Sequence, residues 1–407
     1  MSIDQRTRTD GPRTPLEADA FFGDELPALL REREALLQPG VRWLSPRPLL
    51  VEVEARRWTL TANGGRVDVH GGAQAGAAHV RLSAEQLDNL VDDQRTFIGF
   101  HSSGRLDQPA GTLADLNDWW LVLRAALDDR AIHTPGGMEF AARDGGRLDL
   151  RRVFRPDDDP DEMRHALEQA GYLRIAGLFS ATEMDAIAAD MDRAAPTYTA
   201  GDGRSWWART ANGEHRVVRM QGFDQHSPTT ASLLRDRRFL AFADIPGDGH
   251  AADLRRADNR IEALFKPIGI VEGISDVPWH KDCGLGRHSY DCSSITVGIS
   301  VTGADARSGQ LRVVAGSHRA LVWPARQRPG SDLPEIDLPT ECGDVTIHCS
   351  CTSHMAQPPI ERERRVLYTT FSLPPRTAAA ADARARLRIE VREAAPVMVS
   401  QPPSPVR

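Results

Sequence analysis

No apolar run in this chain approaches the roughly 20 residues that a membrane-spanning helix needs, so no integral membrane association is expected. Positive charge is not in excess: 50 Lys and Arg stand against 57 Asp and Glu, for a formal net charge of −7. That balance argues against nucleic acid or an anionic membrane as the main partner. Cysteine is scarce and odd in number, the five being Cys283, Cys292, Cys342, Cys349 and Cys351, all in the last third of the chain. A disulfide framework is not expected in a chain of this length. Cys349 and Cys351 lack a second pair at zinc-finger spacing, which counts against a structural zinc. The opening "MSIDQRTRTDGPRTP" has no apolar core of the signal-peptide kind. Residues 1–14 read as a disordered arm, and the chain as cytoplasmic. There are no internal repeats.

What is present reads as a globular protein of two or three domains. The chain has 407 residues, 41% hydrophobic and 26% charged, against roughly 100–200 residues per domain. Residues 15–37 have helical spacing. The stretch "LLVEVEARRWTLTANGGRVDVHGG" alternates apolar and polar residues around Gly64-Gly65, a hairpin signal. "AAHVRLSAEQLDNLVDD" reads as strand then helix, with Ser83 and Gln86 as a capping box. Residues 113–127 form a further helix whose Trp119 and Trp120 are expected in the core. Together these make a small α+β domain, 15–150. An acidic, proline-bearing linker follows at 155–163, then helix, short strand and helix, with Ser180 and Glu183 as a second capping box. Trp206 and Trp207 fall in what reads as a glycine-rich polar loop, where they are candidates to cover a pocket. From about residue 261 to 371 short strands alternate with long loops, which fits a jelly roll over 151–375. A helix and a Pro-rich tail, 376–407, complete the chain.

One stretch carries chemistry, "DVPWHKDCGLG". Residues i and i+2 of a strand share a face, so His280 and Asp282 can offer an imidazole and a carboxylate to one ion. Non-haem Fe(II) oxygenases use two histidines and one carboxylate and keep further positions open. "GDVTIHCSCTSHMAQPP" supplies two candidates for the remaining ligand, His348 and His354. Arg364 and Arg365 follow at the start of a strand, and a buried arginine fork suits a carboxylate. Iron, open positions and such an arginine together imply 2-oxoglutarate.

The ordered set "WHKD", "GQLRVVAGSHR", "GDVTIHCSCTSH" and "RRVLYTTF" resembles the phytanoyl-CoA dioxygenase family over about residues 160–372. The resemblance implies an Fe(II)- and 2-oxoglutarate-dependent oxygenase on a double-stranded β-helix. It places the metal ligands on His280, Asp282 and His354, because Gly343 precedes His354 by the family's interval. His348 then takes a supporting or core role. The 2-oxoglutarate clamp falls on Arg364, with Arg365 the alternative if the strand register shifts by one. Lys266 is either a cosubstrate contact or a strand-end surface charge. His288 is expected to approach the substrate or support the metal ligands, and His318 to be structural. Cys283 reads as a small buried residue. Ala356 stands where some relatives carry a hydroxyl that helps hold the cosubstrate, a contact that Thr296 or Thr370 is then expected to supply. An intact Asp282 favours hydroxylation over halogenation. The implied reaction couples decarboxylation of 2-oxoglutarate, with O2, to hydroxylation of an unactivated C–H bond. Residues 20–135 resemble the sterol-carrier type of lipid-binding domain, which suggests a small, hydrophobic, lipid- or natural-product-like substrate. The alternatives are a lipid or acyl carrier with a non-catalytic jelly roll, or another metal-dependent enzyme on the same barrel.

Overall fold

Period-two alternation in the first third of the chain produces three successive strands. They are β1 (Leu49–Val53), β2 (Arg56–Asn63) and β3 (Arg66–Gly71). The computed structural model describes residues 15–252, 260–273, 275, 277–283, 294–379 and 381–382. The expected turn at Gly64-Gly65 joins β2 to β3, with both glycines at positive φ. A second tight turn joins β1 to β2 at Glu54-Ala55, whose φ values are 47° and 70°. Non-glycine residues seldom adopt that region, so the turn carried no local signal. β4 (Ala78–Leu82) pairs parallel to β1, and β5 (Asp107–Ala110) closes the order β3-β2-β1-β4-β5. Helices α1 (Leu26–Glu32), α2 (Glu34–Leu44), α3 (Ala84–Val91) and α4 (Leu113–Asp128) complete this unit. The Ser83–Gln86 capping box is present, and Thr112 with Asp115 makes another. Trp119 and Trp120 are buried, and the Trp119 indole donates to the Arg47 carbonyl at 2.6 Å.

The rest of the chain builds two facing sheets. Its helices α5 (Pro160–Ala170) and α6 (Ala181–Ala194) flank β6 (Tyr172–Ile175). The large sheet then takes β7 (Ser205–Thr210), β8 (His215–Met220), β9 (Ala251–Ala252), β10 (Glu262–Lys266), β11 (Ile270–Gly273) and β12 (Ser294–Ser300). It also takes β15 (Val345–Cys349) and β17 (Arg364–Ser372). Its order is β11-β7-β8-β10-β17-β12-β15-β6, with β9 on β17. The small sheet is β14-β13-β16, from β13 (Leu311–Val314), β14 (Glu335–Leu338) and β16 (His354–Ala356). The pairings in both sheets are antiparallel, consistent with a jelly roll.

Alternation divides the large sheet cleanly. Ile295, Val297, Ile299, Leu367, Phe371, Val345 and Ile347 point outward and pack with Met184, Ile187 and Met191 of α6. Each such side chain contributes about 1.5–3 kcal/mol on burial. The residues between them, including Thr296, His348, Arg364, Tyr368 and Thr370, therefore face inward. Gly298 lies among these. A Cβ there would meet Tyr368 Cε1 at 2.8 Å and Thr346 Oγ1 at 2.9 Å, so the Tyr368 ring occupies the space that a side chain would fill.

Two expectations change here. Trp206 and Trp207 lie on β7, in a hairpin with β8, not in a loop. The segment after α4 also packs with the second unit before residue 150. Leu148 joins Leu311, Val313 and Ile336, and Phe140 packs beside them. Conversely Leu321 and Trp323, late in the chain, are buried in the core of the first unit. Ser180 and Glu183 cap α6 as expected. No helix among the described residues is long and apolar enough to cross a membrane. The arm 1–14, most of the C-terminal helix and tail, Cys292 and His288 lie outside the described residues. The other four cysteines are not in disulfides.

Candidate metal centre

His354 opens β16 and pairs in an antiparallel bridge with His280, their backbones exchanging N–H···O bonds of 2.9 and 3.0 Å. This bridge, not a regular strand, delivers His280, and Asp282 follows in a turn. Ligand atoms of His280, Asp282 and His354 lie within 4.8 Å of one another. Both imidazole Nε2 atoms face the same carboxylate oxygen, Asp282 Oδ1, at 3.3 Å from His280 and 3.4 Å from His354.

The far nitrogens determine what those Nε2 atoms can be. His280 Nδ1 lies 2.7 Å from the Pro278 carbonyl and His354 Nδ1 2.9 Å from the Thr352 carbonyl. A carbonyl only accepts, so each Nδ1 carries the hydrogen, and in the neutral ring Nε2 is a bare lone pair. Two lone pairs and an anionic oxygen then converge with no hydrogen among them. Such a cluster calls for a cation, and two imidazoles with one carboxylate suit iron of the facial-triad type. The residues present therefore fit a divalent metal.

The other carboxylate oxygen is already committed. Asp282 Oδ2 accepts from the Thr296 hydroxyl at 2.7 Å and from His348 Nε2 at 3.1 Å. Thr296 and His348 are cross-strand partners on β12 and β15, so the sheet itself aims both donors. His348 is thus bonded to the carboxylate, and Thr296 is bonded to Asp282 and close to the Ser350 hydroxyl at 3.1 Å. Thr370, paired with Thr296 across β17, stays exposed.

Charge balance at the cluster follows from burial and this one carboxylate. Burial pushes Asp282 up, but the neighbouring His354, His280 and His348 hold it well below the usual carboxylate range. Burial pushes His280 down, reinforced by His354. Burial also pushes His348 down, to about 4. Burial opposes charge on His354 as well, yet Asp282 outweighs it and raises that ring.

Of the two candidate arginines, Arg364 is turned inward and 3% exposed. Its Nη1 donates to the Gly309 carbonyl at 2.5 Å and its Nη2 to the Tyr368 hydroxyl at 3.1 Å, while the buried Nε has no hydrogen-bond partner. Arg365 faces the opposite way and pairs with Asp192 of α6 at 2.9 Å. Lys266 stands directly across from Arg364 on β10 and is buried, not a surface charge. Two adjacent buried cations suit an anion. Trp206 lies under Arg219, whose guanidinium is 4.4 Å from the ring centroid and 2.5 Å from Glu262. Trp207 instead packs toward the outer core and donates to Ser205 Oγ at 2.9 Å. His318 bonds the Glu168 carbonyl at 3.0 Å, and burial pushes its ring down to about 3, which is a structural role. Cys283 is half-buried, with Sγ 3.7 Å from Cys351 Sγ.

The motif reading passed over Lys281, which sits between the two candidate ligands His280 and Asp282 and is 0% exposed. A compositional signal was available. The chain holds 50 Lys and Arg, yet only Lys266 and Lys281 are lysines. A chain that uses arginine almost everywhere has retained lysine at two buried positions, beside the arginine clamp candidate and between the metal ligands.

Residues 167–365 match the family model described as phytanoyl-CoA dioxygenase (PhyH). The match falls within the stretch over which the motifs implied that resemblance. Comparison with curated proteins gave no match. Solved structures that resemble the chain include the epimerase SnoN in complex with Fe3+, alpha ketoglutarate and nogalamycin RO. It is 17% identical, covers 54% of this chain and 88% of that one, and has a TM-score of 0.40. EctD from S. alaskensis with 2-oxoglutarate and 5-hydroxyectoine is 18% identical over 59% and 85%, with a TM-score of 0.42. AviO1 from Streptomyces viridochromogenes Tue57 is 17% identical over 53% and 96%, with a TM-score of 0.40.

Proposed function

We propose that this protein is an Fe(II)- and 2-oxoglutarate-dependent oxygenase that hydroxylates a C–H bond of a small organic molecule. The observation that carries the reading is the meeting of two bare Nε2 atoms with Asp282 Oδ1, while Thr296 and His348 occupy Oδ2. His280, Asp282 and His354 would hold the iron. When bound, the iron supplies a site for the keto acid and for O2 activation. The chain's own residues supply position. Arg364, helped by Lys266, takes the distal carboxylate of 2-oxoglutarate, and Tyr368 fixes the arginine fork. Thr296 and His348 stop the Asp282 carboxylate from rotating, so a single oxygen is offered to the metal.

The substrate reading shifts away from a purely apolar chain. The inner face near Tyr368 continues into Glu262, Arg219 and Trp206. Such a wall favours a substrate that combines polar groups with an apolar ring or chain. The test is anaerobic. Addition of Fe(II) and then 2-oxoglutarate to the metal-free protein is expected to give a weak visible charge-transfer band. His354→Ala is expected to lose it. A folded wild-type protein that binds Fe(II) yet shows no band on adding 2-oxoglutarate would falsify the oxygenase reading.

A further inference from the structure

We infer that the N-terminal unit sets the geometry of the metal centre, through Lys281 and the loop 315–333. The inference rests on the metal-centre reading above and concerns what holds its ligands in place.

The chain of contacts is continuous. Lys281 Nζ donates to the Ser317 carbonyl at 3.1 Å. Ser317 Oγ in turn accepts from the backbone N–H of Ser353, the residue before His354, at 2.8 Å. Ser353 Oγ donates to the Ala325 carbonyl at 3.0 Å. One loop therefore grips both arms of the site, at Lys281 between His280 and Asp282 and at Ser353 beside His354. Ser317, Ser353 and Lys281 are all at most 2% exposed, so water does not compete for these bonds.

The N-terminal unit grips the same loop from the other side. Leu321 and Trp323 are buried in its core. Ile132 pairs with Leu321, and the His133 N–H bonds the Leu321 carbonyl at 3.1 Å. The Trp323 indole donates to Asp118 Oδ1 of α4 at 2.8 Å, and Arg328 Nε reaches the same oxygen at 3.0 Å. Arg328 Nη2 also donates to the Leu44 carbonyl at the end of α2, at 2.8 Å. Loops move more than the elements they join unless tied down, and this one is tied on both sides. An ammonium suits the Lys281 position because its donors converge from one small centre, whereas a guanidinium would need a wider slot. That fits lysine's retention here in a chain that otherwise prefers arginine.

The test uses the full chain and Co(II) as a spectroscopic probe, read by titration and by its ligand-field absorption. Three variants are compared with wild type. Lys281→Met keeps the stem and removes the donor. Trp323→Phe keeps an aromatic ring in the N-terminal core but removes the indole N–H together with part of the ring system. Leu60→Ala weakens that core on β2, away from the loop. Lys281→Met and Trp323→Phe are each expected to weaken Co(II) binding about tenfold, the scale for residues that orient metal ligands, and to alter the absorption. Leu60→Ala is expected to lower the melting temperature with Co(II) affinity unchanged. The inference is overturned if Trp323→Phe stays folded and binds Co(II) within about twofold of wild type, or if Leu60→Ala weakens binding as much as the loop variants. Failure of wild type to bind Co(II) would overturn the metal-centre reading itself, and this inference with it.

Discussion

Two carboxylates, the buried Asp118 and the more accessible Asp282, each gather a cluster of side chains, and their partners make them opposites. Asp118 faces the Trp323 indole and the Arg328 guanidinium, donors that carry their hydrogens at any ordinary pH. Asp282 faces two imidazole nitrogens whose hydrogens have been drawn to the far side of the ring by backbone carbonyls. The first cluster is complete as it stands. Burial lifts the Asp118 carboxyl above its ordinary range, and Arg328 and Trp323 pull against that. The second is complete only with a cation, and its histidines still press Asp282 far down. The difference teaches that the character of an acid is set by the donors it faces, which must be counted before its burial is weighed.

The sharpest way to break this contrast is to remove one charge from each side. Asp282→Asn keeps the shape of the side chain. It is expected to cut Fe(II) or Co(II) affinity at least about 100-fold, as for loss of a ligand. At pH 8 it is also expected to leave the melting temperature of the metal-free protein equal or higher, because lone-pair repulsion is relieved. Asp118→Ala is expected to do the reverse in stability, lowering the melting temperature by several degrees as a buried joint loses its acceptor, about 1–3 kcal/mol. A metal-free Asp282→Asn protein as destabilised as Asp118→Ala would mean that the two clusters are alike after all.

The next effect separates the neighbouring arginines. Arg364→Ala is expected to raise the KM for 2-oxoglutarate about 10- to 100-fold, the worth of a charge-assisted pair. Arg365→Ala, which loses an exposed pair with Asp192, is expected to change it less than about threefold. Steady-state kinetics with varied 2-oxoglutarate decides this, and equal effects would reverse the register argument. Gly298→Ala comes third. Its Cβ is expected to displace Tyr368 and cost about 1–3 kcal/mol, visible as a lower melting temperature with a raised KM for 2-oxoglutarate.

The smallest effect is in pH. The His354 ring is raised above the ordinary histidine value of about 6.5 by Asp282, against the effect of burial. Protonated His354 therefore stabilises the metal-free fold fully below pH of about 6.5, and that contribution is lost as pH rises through the raised value. The metal competes with the same proton, so Co(II) affinity is expected to rise with pH across that window. Metal-free melting temperature is expected to fall there while that of the loaded protein does not. A flat affinity profile would count against a bare His354 Nε2 as ligand.

The legible parts of the sequence were those with a local physical cause. Ser83, Ser180 and their partners mark helix starts because capping needs a fixed spacing. His280, Asp282 and His354 stand out because metal chemistry restricts residue type. What escaped lacked a local signal in the residue types. The Glu54-Ala55 turn uses residues without a turn signal, so one hairpin reads where three strands exist. Trp206 and Trp207 look like loop residues because they sit beside the glycine-rich Gly201-Asp202-Gly203 turn, although the next hairpin strand, β8, pairs with them. Arg364 could not be told from Arg365 until the register of β17 against β10 and β12 decided which one faces inward. Lys281 was visible in composition but belongs to no motif, and its role depends on a loop that begins 34 residues later.

The loop 315–333 belongs by sequence to the stretch that carries the candidate metal site and by packing to the N-terminal core. Such an element joins the two units into one packed whole. A relative that lost or exchanged the first unit would have to replace Leu321 and Trp323 with residues fit for water, and find Arg328 a new counter-ion, in the same evolutionary step. A cut at the apparent linker would instead leave Leu321, Trp323 and Arg328 without their N-terminal partners. The cut that leaves both halves whole would have to pass through the loop itself.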